Sequence, residues 1–433
     1  MMGRAELLPA ERELLLTLLE LPTAGPLETG TDGPRPLLWE AQGAYAEAAA
    51  RLGFTVVHRA APDPSVLDRE GVPVPVREAA ERTPGFLDCQ PSTVLRLGPE
   101  LPRERTVMFN VHLDTVAGGE PPRYRDGRFH GRGAIDAKGP AVALLAGLRS
   151  AVDAVPGLGI DTGVLVQLVS GEEGGAMGVF GTRPLVESGW TGRLNLFCEP
   201  TRGRMVPRST AAATALIEAA GEDAIDDHPE AGHNATVLLG FLAQHLAGRL
   251  PGSVPGGVSG ARVCVAGLHT GDLHNKVYGA GRLLLNLAYP TTEAGHALTR
   301  ALEHELDAGL AEFAHRFADR PALARTAAEA RDVTALHWLK RGLPALDAHD
   351  PWAERLLTDA GIPYAAPDEP ACTCDAIWMH GVPGAYTAVY GPGDLEANHA
   401  HAAGEFADLR DLEAFATGVA SLLEHFARAA SHF

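Results

Sequence analysis

Three largely apolar runs in the first half of the chain each break off at residues able to hold a metal or a proton. TVMFNV runs into His112, TGVLVQLV runs through Ser170 and Gly171 into the pair Glu172 and Glu173, and RLNLF leads through Cys198 to Glu199. Short apolar runs with no sustained polar alternation are what strands need when helices cover both faces of a parallel sheet. FTVVHRA and STVLRLG supply two more strand-like stretches, and residues 9–21 and 36–52 have helical periodicity. A further apolar helix, KGPAVALLAGLRSAVDAV, opens at Gly139-Pro140. Strands and helices in alternation predict an α/β layer, a mostly parallel sheet sandwiched by helices. Ligands of such sheets sit outside the carboxyl ends of the strands, which is where His112, Glu172, Glu173 and Glu199 fall.

After Thr201 the texture changes. STAAATALIEAAG reads as a strand, residues 232–248 as a helix, ARVCVAGLHTG and GAGRLLLNLAYP as strands, residues 292–317 as a long amphipathic helix, and ARDVTALHWLK as a last strand. The order βαββαβ is a ferredoxin-like split unit, complete in itself. A chain of 433 residues is long for one core. The expected division is therefore a first domain made of 1–206 and 343–433, interrupted by an inserted domain, 207–342. The first layer resumes with the helix DPWAERLLTDAG, the strand in PGAYTAVYGPG and a final helix from about Leu409. Residues 61–91, rich in proline and charge, are expected to be loop with one short helix.

The net charge of -19, from 36 basic and 55 acidic residues, argues against nucleic acid or an anionic membrane as partner, since either needs a basic footprint. A small anionic substrate reads only the local field and stays compatible. No stretch approaches a membrane span. The opening MMGRAELLPAERELLLTLLELP carries Glu6, Glu11 and Glu13 and has neither a basic head nor a small-residue cleavage site, so it reads as an amphipathic helix and a cytoplasmic location is expected. The five cysteines are scattered and read as reduced thiols. Cys372 and Cys374 alone would not close a metal site.

Five segments offer metal-type ligands: VHLDTV, GRGAIDAKGP, SGEEGG, FCEPT and NHAHAAGEF. Each alone has an ordinary explanation. His112 could be a core histidine, Asp136 a helix cap, Glu199 half of a local ion pair and His401 a loop residue. Together, in this order and at strand ends, they make the chain similar to the zinc aminoacylase-type metallohydrolases. That family includes acetylornithine deacetylase, succinyl-diaminopimelate desuccinylase, glutamate carboxypeptidase and related dipeptidases. The resemblance runs from about Glu11 to the end and is weakest over 61–91. It implies two divalent metal ions, zinc before cobalt or manganese. His112 and Glu199 would hold one, His401 and Glu173 the other, and Asp136 would bridge them. Imidazole and carboxylate suit zinc. Glu172 would be the general base; chemistry alone allows either glutamate of the pair, and the resemblance puts the base first. Asp114, two residues past His112 on the same side of the strand, would accept the second imidazole N–H. His399 rivals His401, but the family's ligand stands four residues before a glutamate, here Glu405.

The resemblance also implies that the inserted domain is a lid through which two copies pair as a homodimer. Its signature GEDAIDDHPEAGHNA keeps Gly221, Ala224, Pro229, Gly232, Asn234 and Ala235. The family's oxyanion-stabilising histidine falls at Ile225, which cannot donate a hydrogen bond, with His228 three residues on. Asn275 is kept in HNKVYGAG and is expected to meet substrate. The arginine that takes a substrate carboxylate falls at Ala288, with His274, Lys276 and Arg282 as substitutes. The expected activity is metal-dependent cleavage of an amide bond in a small N-acyl amino acid or modified peptide. A carboxypeptidase or dipeptidase on the same fold is the alternative. A second is a non-catalytic small-molecule binder, which would have no need of Glu172.

Overall fold

The computed structural model describes residues 4–252, 260–369 and 371–430. The chain forms two compact units, Met1–Ser209 with Leu346–Phe433, and Thr210–Ala345. Its principal strands follow in chain order: β1 (Phe54–Ala60), β2 (Ser92–Leu97), β3 (Thr106–His112), β4 (Gly163–Val169), β5 (Leu194–Phe197), β6 (Ala211–Ala220), β7 (Arg262–His269), β8 (Ala280–Tyr289), β9 (Thr334–Lys340) and β10 (Tyr386–Val389).

In the first unit the sheet order is β1-β2-β4-β3-β5-β10. The four strands from β4 to β10 are parallel, and β1 and β2 extend one edge antiparallel. Every residue of β3 and β4 is buried, which is why neither strand alternates in polarity. The helices Lys138–Ala154 and Leu409–Ala430 pack together closely. A Cβ at Gly147 would come within 2.6 Å of the Ala416 carbonyl oxygen, so this approach requires glycine.

The second unit is an antiparallel sheet in the order β7-β8-β6-β9, the strand order of a ferredoxin-like βαββαβ unit. Along β8 burial alternates, as it must when one sheet face meets helices and the other does not. The helices are Ala235–Arg249 and Thr292–Phe317. The first starts three residues after the expected Gly232 because the Asn234 side chain caps it, accepting from Val237 N–H at 3.0 Å.

Three further local differences stand out. The strand β5 ends at Phe197, not at Glu199, because the Glu199 N–H turns back onto the Phe197 carbonyl at 3.1 Å. Residues 61–91 contain the expected helix, Val74–Arg82, and also a 3₁₀ turn, Pro64–Asp68. An unexpected three-stranded antiparallel sheet joins Arg123–Arg125, Arg128–His130 and Phe406–Asp408. Among the described residues no helix is long and apolar enough to cross a membrane.

Candidate metal centre

The sheet register builds one side of the site. His112 pairs with Val169, so Glu172 and Glu173 follow three and four residues beyond its level on the neighbouring strand. Phe197 pairs with Asn110, so Glu199 arrives level with His112 on the other side. The small sheet builds the opposite side. Pairing of Phe406 with His130 brings the loop that carries His401 beside the segment that carries Asp136.

The side chains converge. His112 Nε2 is 2.9 Å from Asp136 Oδ1 and 3.6 Å from Glu199 Oε1. His401 Nε2 is 3.1 Å from Asp136 Oδ2 and 3.0 Å from Glu173 Oε1. The two oxygens of Asp136 thus face two different histidines. Two ligand triads result, His112–Asp136–Glu199 and Asp136–Glu173–His401, and a third grouping places Glu172 with His112 and Glu173. Among the described residues buried Asp114 Oδ1 has no hydrogen-bond partner, and buried Glu173 Oε1 has only the His401 imidazole. Buried carboxylate oxygens so sparsely satisfied are costly unless a cation completes them. Two imidazoles and three carboxylates, one of them common to both triads, fit a pair of divalent ions.

Burial alone would raise the Asp136 pKa, but hydrogen bonds from His112 and His401 hold it well below the usual carboxylate range. The bonds of His401 to Asp136 and Glu173 lift its own pKa to about 10. Burial pushes Glu173 up to about 7 against the opposing His401 bond. Burial also drives Glu172 well above its ordinary value; His112 opposes this, and Asp375, Glu173 and Glu199 add to it. Bound cations would favour the deprotonated form of each of these ligands.

His112 Nδ1 lies 2.9 Å from the backbone carbonyl of Asp114 and 3.7 Å from its carboxylate. The carboxylate turns to the β4 loop and accepts the Glu173 N–H at 3.1 Å. Asp114 therefore orients the imidazole through its backbone and Glu173 through its side chain. His399 packs edge-on to Phe406 at 5.9 Å and belongs to neither triad. In the second unit Asn275 is exposed ahead of the short strand Lys276–Val277. There Ile225 is 56% exposed and pairs with Lys276. Lys276 itself is ion-paired with Asp223 at 2.6 Å, and His228 lies 3.5 Å from Glu230.

Supporting residues escaped the sequence reading. Glu405 served there only as a landmark, yet it ties both sides of the site together. Its carboxylate accepts from Arg132 Nη1 at 2.6 Å and from the Ile135 N–H at 3.1 Å. Asp375, 1% exposed, accepts from the Thr182 hydroxyl at 2.5 Å. The only signal for it was an acidic residue set between Cys374 and an apolar stretch, which does not distinguish a buried acid from a loop residue.

A sheet-end cluster of imidazoles and carboxylates with a spare glutamate at its side defines a metallohydrolase. The chain belongs to peptidase family M20/M25/M40, whose description matches residues 108–425. A protein of Aeropyrum pernix named as a LysW-lysine/LysW-ornithine hydrolase is 36% identical over 193 residues, 44% of this chain and 52% of that protein. The chain thus spans about half the length of this curated relative. Among solved structures, a tripeptidase from Staphylococcus aureus superposes with a TM-score of 0.69 at 14% identity, covering 96% of this chain and 99% of that one. The YXEP protein of Bacillus subtilis, described as a dinuclear metal-binding peptidase of family M20, gives 0.60 at 12% identity, covering 98% of both chains. These structural likenesses carry the fold.

Proposed function

We propose that the chain hydrolyses an amide bond of a small N-acyl amino acid, a modified peptide or a carrier-linked intermediate, using two divalent ions, zinc before cobalt or manganese. The observation that carries this reading is the sharing of Asp136 between two ligand triads with Glu172 alongside. His112, Asp136 and Glu199 would hold one ion; Asp136, Glu173 and His401 would hold the other. Bound divalent cations acidify water and polarise a carbonyl oxygen. Glu172, outside both triads, takes the proton of the attacking water and delivers it to the leaving amine. Asp114 keeps the two ends of this arrangement in register by bonding His112 through its carbonyl and Glu173 N–H through its carboxylate.

Substrate recognition is assigned to the inserted domain as a lid, with Asn275 as a contact and a homodimer formed through it, in a cytoplasmic protein. Ile225 and Ala288 stand where the family resemblance puts an oxyanion donor and a carboxylate-binding arginine, so a free substrate α-carboxylate is not the main handle. The Aeropyrum pernix relative, whose name gives LysW-lysine and LysW-ornithine, supports a modified substrate. Carboxypeptidase or dipeptidase action on the same fold is the second reading, in keeping with membership of a peptidase family.

The test is to strip the purified chain with chelator, reload it with zinc, cobalt or manganese, and offer N-acyl amino acids, dipeptides and side-chain-acylated peptides. Products are identified by mass. An acyl acid plus an amine supports deacylation, and two amino acids support the dipeptidase reading. Reloaded protein that cleaves no amide, or a Glu172→Gln variant as active as the parent, would sink the proposal.

A further inference from the structure

The loop between β4 and residue 182 must hold two adjacent glutamates beside His112 at once. Its internal hydrogen bonds run from Met177 N to the Glu172 carbonyl (3.3 Å) and from Gly178 N to the Gly171 carbonyl (2.8 Å). Met177 has φ of 55°, a left-handed conformation unfavourable for a side chain of this size. Both residues are gripped from outside by one 3₁₀ turn, Asp375–Met379. Trp378 Nε1 donates to the Met177 carbonyl at 2.6 Å. Gly178 lies so close to Asp375 that an added Cβ would come within 2.4 Å of the carboxyl. Thr182, which closes the loop, donates its hydroxyl to Asp375 Oδ2 at 2.5 Å.

The grip is anchored at both ends. Thr182 accepts from Asn110 Nδ2 at 3.1 Å, and Asn110 also donates to Gln167 Oε1 at 2.8 Å. Asn110 lies on β3 two residues before His112, so one buried polar chain links the strand of a ligand to the loop of the base. On the other side, Cys374 N–H donates to Ser209 Oγ at 3.1 Å. Asp375 Oδ1 is buried and makes no hydrogen bond among the described residues. Burial pushes this carboxyl up to about 8, against the Thr182 bond. A buried carboxyl with one unsatisfied oxygen costs stability, so a contribution to stability alone does not account for it.

Building on the proposed reaction, we propose that Asp375 is a positioning residue: through Thr182 and Gly178 it holds residues 171–182 in the shape that keeps Glu172 at the side of the ligand triads, next to His112 and Glu173. It touches no reacting atom. Asparagine keeps the acceptor for Thr182 and the volume beside Gly178; alanine keeps neither.

The experiment compares Asp375→Ala, Asp375→Asn and Thr182→Val with the parent, each loaded with metal and assayed per bound metal. Because small misplacements of a catalytic group cost about 100-fold, Asp375→Ala is expected to lose about 100-fold in kcat with KM within about twofold and the parent's metal content. Asp375→Asn is expected to stay within about threefold of the parent, and Thr182→Val to fall about 10-fold. In the metal-free chain, amide hydrogen exchange over 171–182 is expected to accelerate in Asp375→Ala and not in Asp375→Asn. Parental kcat in Asp375→Ala, with only its unfolding temperature lowered, overturns the proposal. If Asp375→Ala does not fold, parental kcat and parental exchange in Thr182→Val overturn it equally. A parent inactive on every amide refutes the proposed reaction instead, while the exchange comparison still decides whether Asp375 shapes the loop.

Discussion

Glu405→Gln is the most informative single change outside the ligand set. Glu405 and Arg132 are 3% and 12% exposed at the side chain. One Glu405 oxygen accepts from Arg132 at 2.6 Å, and the other from the N–H groups of Ile135 and Asp136 at 3.1 and 3.4 Å. Glutamine's carbonyl oxygen can retain the backbone donors. Its amide then faces the guanidinium, donor against donor. Burial raises the Glu405 pKa against the Ile135 bond and Arg132, so desolvation is the larger effect on the carboxylate by itself. The loss on substitution comes from Arg132, left buried without a counter-charge. Breaking a buried pair from one side costs about 3–5 kcal/mol. Arg132 Nη2 keeps a bond to the Ala402 carbonyl at 3.3 Å, which places the expected loss at the lower end, about 3 kcal/mol. Urea unfolding of the metal-free chain, followed by tryptophan fluorescence, reads this as a lower midpoint at unchanged slope. The same change slackens the segment of Asp136 against the loop of His401, and metal affinity is expected to fall about 10-fold, as for other supporting contacts. Stability within about 0.5 kcal/mol of the parent would refute the argument that this pair clamps the two segments.

Four further outcomes are expected. Glu172→Gln should lower kcat by about 100- to 10,000-fold while bound metal, measured by elemental analysis, stays at the parental level. Asp136→Asn should lose metal more severely than Glu199→Gln, because Asp136 alone faces both histidines; competition with a chromogenic chelator measures the order. Gly171→Ala should destabilise by about 1–3 kcal/mol in a thermal melt, since φ is +79° and the new Cβ would lie 2.1 Å from the Phe180 ring. Chelation should lower the unfolding temperature, and restoring free metal to about 100 times its Kd should return about 2.7 kcal/mol.

By itself the sequence determined which segments are strands and helices of the first layer, and that polar residues crowd their carboxyl ends. An unalternating run such as TGVLVQLV can be buried on both faces only as an inner strand or a core helix, and its brevity and glycine flanks decide between them. The helix Thr292–Phe317 was equally legible, because its amphipathic period repeats over many turns. Other features depended on the tertiary structure. The level placement of Glu199 beside His112 follows from β3–β5 register, and a one-residue slip would leave each local pattern unchanged while inverting every side chain. The small sheet that brings His401 to Asp136 is made of three-residue strands, too short to show a period. Asp375 and Glu405 act through contacts to residues 193 and 273 positions away, and nothing in their own neighbourhoods marks them as buried. Secondary structure is written in local periodicity, which a sequence displays; convergence of distant carboxylates depends on register and loop packing, which only the folded chain resolves.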